Sequence, residues 1–276
     1  MEKNEFVDLL KNDKIQNNTI SELNCKNEHI ENVMFENVMF ENVDFSETYV
    51  RESNFRKVNM VNINFSKSYI EAEQLDFIGE FSQCNFNHSN ILYIAFRDSK
   101  ISNCDFENMR YKLGVFDSCI TESNNFDGVE FDGSAIWGKE FLKNSMRNAK
   151  LDGGGFNHLK IFSNDFSKTN FEGYSISDSV VSECIFDFVS ITNMLSRRTK
   201  YFDCDFNNAV IKASVYDRCE IVQCDFSESI IENVSYRKCK LKNLDFTKTL
   251  LKNITFEDCS FENTVFTEQQ KVEFKV

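Results

Sequence analysis

The chain has 276 residues, no proline, 10 cysteines, 29 phenylalanines and a net charge of −13 from 31 basic against 44 acidic side chains. An apolar share of 41% is too high for a disordered acidic tail, and no window approaches the roughly 18 unbroken apolar residues of a membrane-spanning helix. The acidic balance argues against direct binding to nucleic-acid phosphates or anionic membranes, which need excess Lys and Arg, and suits a basic protein partner.

Residues 1–19 read as an N-terminal cap, with Phe6, Leu9 and Leu10 at helical spacing. Acids among the first residues do not match a secretory signal, so a cytoplasmic location is expected. From residue 20 the chain becomes repetitive. The run ENVMFENVMFENVDF at 31–45 returns every five residues, and the same phase continues through Ile30, Phe35, Phe40, Phe45, Val50, Phe55, Met60, Phe65, Ile70 and Leu75. One extra residue between Leu75 and Phe81 predicts a bulge. From Phe81 to Phe266 every fifth residue is apolar or aromatic except Thr121 and Ser196. Neither a helical period of 3.6 nor strand alternation gives this pattern.

The residue two before each fifth-position centre is small or apolar, and only Lys139 among these carries a charge between 79 and 264. Residues two apart in extended chain share a face, so both positions are expected to point inward. Every cysteine except Cys25 falls in this second slot, in two classes separated by multiples of twenty: Cys84, Cys104, Cys184, Cys204 and Cys224, and then Cys119, Cys219, Cys239 and Cys259. A turn of twenty residues follows. The first class continues through Asn124, Asn144 and Asn164, which predicts an internal asparagine ladder flanked by thiols. One column of centres runs Phe45, Phe65, Phe86, Phe106, Phe126, Met146, Phe166, Phe186, Phe206, Phe226, Phe246 and Phe266, a stack of rings filling a narrow interior. Two residues after one centre, Gly133, Gly153, Gly173, Asn193, Ala213, Asn233 and Asn253 mark a corner of positive φ. The glycines all lie between 79 and 173, predicting a more irregular or tightly turned middle, where Lys139 either reaches out to solvent or marks a distorted coil. Residues 267–276 read as a C-terminal cap or tail.

Segments such as Asn103-Cys104-Asp105-Phe106-Glu107, Asp203-Cys204-Asp205-Phe206-Asn207 and Gln223-Cys224-Asp225-Phe226-Ser227 resemble the pentapeptide-repeat signature. The resemblance spans 20–266 and implies an all-β fold, a right-handed quadrilateral parallel β-helix with one pentapeptide per face and about twelve coils. Certain members of that family mimic duplex DNA, occupy the DNA-binding saddle of DNA gyrase or topoisomerase IV, and protect it from quinolones or toxins. An acidic β-helix of duplex width fits a basic saddle in the same way.

The outward columns supply the candidate contacts. Asp105, Asp165, Asp205, Asp225 and Asp245 precede the phenylalanine stack and are expected both to bond corner amides and to form a line of negative charge, with Glu122 and Asp127 adding to it. Glu71, Glu73, Asp76 and Glu80 add acids near the bulge, and basic residues cluster at 143–150, 197–200 and 237–242. A second outward column carries Leu142, Phe162, Phe202 and Val222, interrupted by Ser182, and reads as a partner or self-association surface that Trp137 could join. His29, His88 and His158 fall on outward phases, away from the inward cysteines. Gly153-Gly154-Gly155 lacks the Lys-Ser/Thr of a phosphate loop, and no nucleophile elbow or metal-ligand spacing occurs. The expectation is a non-catalytic binding protein without cofactor or metal, its partner gyrase or topoisomerase IV, or another protein for which it is a scaffold, with homodimerisation as a possibility. The remaining alternative is a polysaccharide-cleaving β-helix enzyme.

Overall fold

The computed structural model describes residues 2–275, the side chains of residues 72–75 excepted. An apolar residue at each fifth position and a small one two before it can be buried together only if the chain turns after every pentapeptide. It does so in two compact units, residues 1–139 and residues 140–276. Each is a parallel β-solenoid, and together they make about 12 turns. In the first unit Lys14–Asn24 pairs in parallel with Met34–Asp44, Lys14 opposite Met34 and Ile15 opposite Phe35. In the second, Lys160–Phe162 pairs with Val180–Ser182 and that strand with Lys200–Phe202, again twenty residues on. The strands of the second unit are three residues long, and in Lys160–Phe162 and Ile230–Glu232 the apolar centre is buried with its neighbours outward.

The corners recur from pentapeptide to pentapeptide on all four sides, Lys248 and the long strand Tyr69–Ser82 excepted. The residue two after the centre sits in the left-handed region, from Asn17 (φ 53°) through Phe188 (φ 56°) to Asn263 (φ 48°). Such backbone costs an L-residue about 1–2 kcal/mol, which is why asparagine is frequent there. Coil-to-coil bonds offset it: the amides of Phe188 and Arg198 donate to the carbonyls of Asn207 (3.0 Å) and Asp217 (2.9 Å). Lys, Glu, Arg and Phe are therefore tolerated at corners. Gly133, Gly153 and Gly173 occupy ordinary corners with φ of 58–60°, so they do not make the middle irregular. Lys139 reaches out, its Nζ 3.8 Å from Asp98.

The inserted residue is accommodated differently from the sequence expectation. Tyr69–Ser82 is one strand of 14 residues in which two extra residues enter and one is removed: Arg51 pairs with Glu71, Phe55 with Phe77, and Val58 with Gly79. Phe77 thus comes into register with Phe55, fully buried and stacked on Phe55 (4.8 Å) and Phe96 (5.0 Å), while the Leu75 side chain, expected at a centre, lies outside the described residues. A run of phase shows that a residue is extra but not which ring enters the stack. The carbonyl of Val58 comes so close to Gly79 that a Cβ there would lie 1.7 Å from it.

The interior follows the predicted columns. In the first unit Phe45, Phe65, Phe86, Phe106 and Phe126 stack at 5.1, 5.2, 5.1 and 4.6 Å. A second stack, Phe35 to Phe116, meets the first edge-on, as Phe106 and Phe116 do at 88°. In the second unit Phe166, Phe186, Phe206, Phe226, Phe246 and Phe266 stack at 4.5–5.6 Å. The asparagine ladder satisfies backbone otherwise stranded in the core. Asn124 Oδ1 accepts from the Cys104 amide (2.9 Å), and Asn164 Oδ1 accepts from the Asn144 amide (2.8 Å) while its Nδ2 donates to the Phe141 carbonyl (2.7 Å). Both breaks in the centre pattern are buried, and Ser196 is polar because it bonds the buried Tyr201 hydroxyl at 2.9 Å. Tyr111 donates to the Ile94 carbonyl (2.8 Å), and its ring leaves no room for a side chain at Gly114.

Helix α1 (Lys3–Leu9) begins with a capping box between Glu2 and Glu5 and buries Phe6 against Phe45, ring centroids 6.0 Å apart. The first strand starts at Lys14, ahead of residue 20. Helix α2 (Glu268–Phe274) is capped by Thr267 and Gln270, and Gln270 Nε2 donates to the carbonyls of Phe246 and Thr249 at 3.1 Å.

Candidate functional site

With the interior filled by repeated columns, chemistry and recognition fall to the outward positions. The aspartates before the ring stack are corner residues. Oδ1 of Asp105, Asp165, Asp205, Asp225 and Asp245 accepts from the amide two residues on, at 3.0, 2.9, 2.8, 2.9 and 2.8 Å. Their backbones lie in register: Asp205 faces Asp225 across one turn, while Asp165 faces Ile185. Burial and the charges of Asp225 and Asp187 raise the Asp205 carboxyl, whereas the Thr247 hydroxyl and amide hold Asp245 low. In the first unit the same column pairs Asp105 with Asn125, whose Nδ2 donates to Asp105 Oδ1 at 3.0 Å. Glu122 and Asp127, also in the first unit, lie on other columns, and Asp127 receives its corner bond through its own amide, which donates to Asn125 Oδ1 (3.0 Å). The Glu73 side chain lies outside the described residues.

Several of the basic residues are held by acids one coil away, a signal present in the sequence as opposite charges twenty apart. Arg198 grips Asp178 with two nitrogens, Lys200 reaches Glu220 (3.6 Å), Lys212 and Lys252 both reach Glu232 (3.6 and 2.7 Å), and Lys242 reaches Glu262 (2.7 Å). Paired charges at exposed positions contribute little individually, but they quiet the net field of those faces.

The apolar column stands on one face of the second unit. Leu142, Phe162 and Val222 are half-buried and Phe202 is 42% exposed; Val180, 45% exposed and missed in the sequence, joins them from the opposite end of its strand. Val180, Ser182, Lys200, Phe202, Glu220 and Val222 line a shallow concavity of ≈ 510 Å³. Phe188 and Ile185 are further exposed apolar side chains, 55% and 44%. Trp137 is 52% exposed and belongs to the first unit. His29, His88 and His158 are outward and exposed, and no group of three or more His, Cys, Asp or Glu among the described residues is placed to hold a metal ion. No helix among the described residues is long and apolar enough to cross a membrane.

Residues 34–69 match the family model of pentapeptide repeats in 8 copies. That segment carries pentapeptide repeats. Similar solved structures include HetL, a pentapeptide-repeat protein involved in heterocyst differentiation regulation in the cyanobacterium Nostoc sp., at 11% identity, covering 97% of this chain and 98% of that one with a TM-score of 0.34. QnrB1, a plasmid-mediated fluoroquinolone resistance protein, matches at 13% identity over 89% of this chain and 94% of that one, TM-score 0.24. The A-module of the mannuronan C-5 epimerase AlgE6 of Azotobacter vinelandii matches at 8% identity over 90% and 77%, TM-score 0.35. No curated protein matches the sequence. Pentapeptide-repeat proteins and enzymes thus stand together among these structural likenesses, which carry no argument about activity.

Proposed function

We propose that the protein is a non-catalytic, cytoplasmic interaction scaffold that docks a protein partner on the face of the second unit carrying Leu142, Phe162, Phe202 and Val222. The observation that carries this reading is the ≈ 510 Å³ concavity lined by Val180, Phe202 and Val222 together with Lys200 and Glu220. Protein contact surfaces combine apolar anchors with polar groups in this way, and a partner's apolar side chain would bury against Phe202. The Lys200–Glu220 pair (3.6 Å) beside Phe202 keeps this surface electrically quiet, which leaves the apolar groups to be read. Changing Phe162 and Phe202 together to Ser is expected to weaken partner capture about thirty-fold, the effect of losing a ~2 kcal/mol anchor. Capture undiminished by the double variant overturns the reading.

A narrower identity for the partner, DNA gyrase or topoisomerase IV met by DNA mimicry, draws support from Asp205, Asp225 and Asp245, three carboxylates on consecutive turns. It predicts inhibition of supercoiling and relief of quinolone-induced cleavage at micromolar protein, both weakened by changing the three aspartates to Asn. Failure of both assays removes that partner while leaving the scaffold reading to the capture experiment.

A further inference from the structure

The thiol columns end in an asymmetry. Every cysteine is buried except Cys259, which is half-buried on the outermost coil of its column. Below it lies Cys239: Arg237 pairs with Glu257 and Lys240 with Ser260, so Cys239 and Cys259 stand opposite one another on adjacent turns. The Lys238 amide to the Glu257 carbonyl (2.7 Å) and the Ser260 amide to the Cys239 carbonyl (3.0 Å) hold these turns at strand spacing. That spacing, about 4.8 Å, lies within the Cα range of roughly 4.4–6.8 Å that a disulfide spans. Cys259 Sγ already points back toward the coil of Cys239, donating to the Tyr236 carbonyl at 3.3 Å. The strands around it are open to solvent: the centres Phe256 and Phe261 are half-buried and 36% exposed, where earlier turns bury theirs.

We infer that Cys259 and Cys239 form a peroxide-oxidisable pair, with Cys259 the attacking thiol and Cys239 the resolving one, closing a disulfide between the last two turns of the thiol column. Hydrogen peroxide supplies the oxidant. The Cys259 thiolate forms an S–O bond as the O–O bond breaks and hydroxide leaves; the Cys239 sulfur then forms the S–S bond as the S–O bond breaks, its proton leaving with the oxygen as water. Two thiols are oxidised and one peroxide becomes two waters. The neighbouring Cys239 thiol draws Cys259 down to about 7, and buried Cys219 lies equally low beside the same thiol, whereas burial pushes Cys119 up to about 12. Access therefore sets Cys259 apart, the one cysteine that is not buried.

The test treats the full chain, folded by circular dichroism, with hydrogen peroxide and maps peptides by mass. The expected result is a loss of two hydrogen masses in a single Cys239–Cys259 peptide, reversed by dithiothreitol. Cys239→Ser should leave a Cys259 sulfenic acid that dimedone captures, Cys259→Ser should abolish both products, and Cys204→Ser should change neither. A disulfide between any other pair, a species of doubled mass joined through Cys259, or oxidation of the inner thiols ahead of Cys259 overturns the inference.

Discussion

The slot before the ring stack is filled differently in the two units, although it performs the same turn in both. In the first unit every carboxylate has amide neighbours: Asn64 Nδ2 donates to Asp44 Oδ1 and Asn125 Nδ2 to Asp105 Oδ1, both at 3.0 Å, and Asn64 is followed by Asn85. In the second, Asp205, Asp225 and Asp245 succeed one another with no amide between them, and Ile185 and Val265 stand where a carboxylate would be. Every one of these aspartates bonds the amide two residues on, so the repeat dictates the turn. What lies between turns is free to vary. The second unit spends that freedom on like charges and exposed apolar groups, the features that a partner would read.

The largest expected effect tests whether the interiors are as alike as the turns. Phe106→Ala in the first unit and Phe206→Ala in the second each remove a fully packed ring between two others, and each should cost about 3–5 kcal/mol in denaturant unfolding. A cost for one far below the other would break the claim of equal cores. A smaller pair of substitutions sharpens the difference between the columns. Asn125→Asp replaces an amide donor with a carboxylate facing Asp105 and should destabilise by about 1 kcal/mol; Asp205→Asn keeps the corner acceptor, removes a charge facing Asp225, and should stabilise by about 0.2–1 kcal/mol at pH 7. Its pH dependence carries the sign. Because the Asp205 carboxyl is raised in the folded protein, ionising it costs folded-state stability as pH rises; the advantage of Asn is present at neutral pH and fades as pH falls through the range where Asp205 takes up its proton. An advantage that grows toward acid pH contradicts the assigned repulsion.

Period, turn length, ring stack and asparagine ladder were all legible in the sequence because each is a property of a column, and columns repeat. The cap at Phe6 was legible from helical spacing. Features that depend on a single coil were not. Phe77 stacks in register with Phe55, a shift that phase counting does not show. Ser196 looks like a defect until the Tyr201 hydroxyl is placed beside it. The candidate contact residues were only half legible: outward phase identified Phe162 and Phe202, but exposure depends on neighbours in the turns above and below. Val180 and Phe188 stand out only once those neighbours are in place.

The central claim is that each twenty-residue turn closes around its thiols and rings. Alkylation of the native chain with iodoacetamide, followed by peptide mass mapping, addresses it directly. The account predicts modification confined to Cys259, with Cys184, Cys204 and Cys224 protected until unfolding; labelling of those three at a rate comparable to Cys259 in folded protein would contradict it.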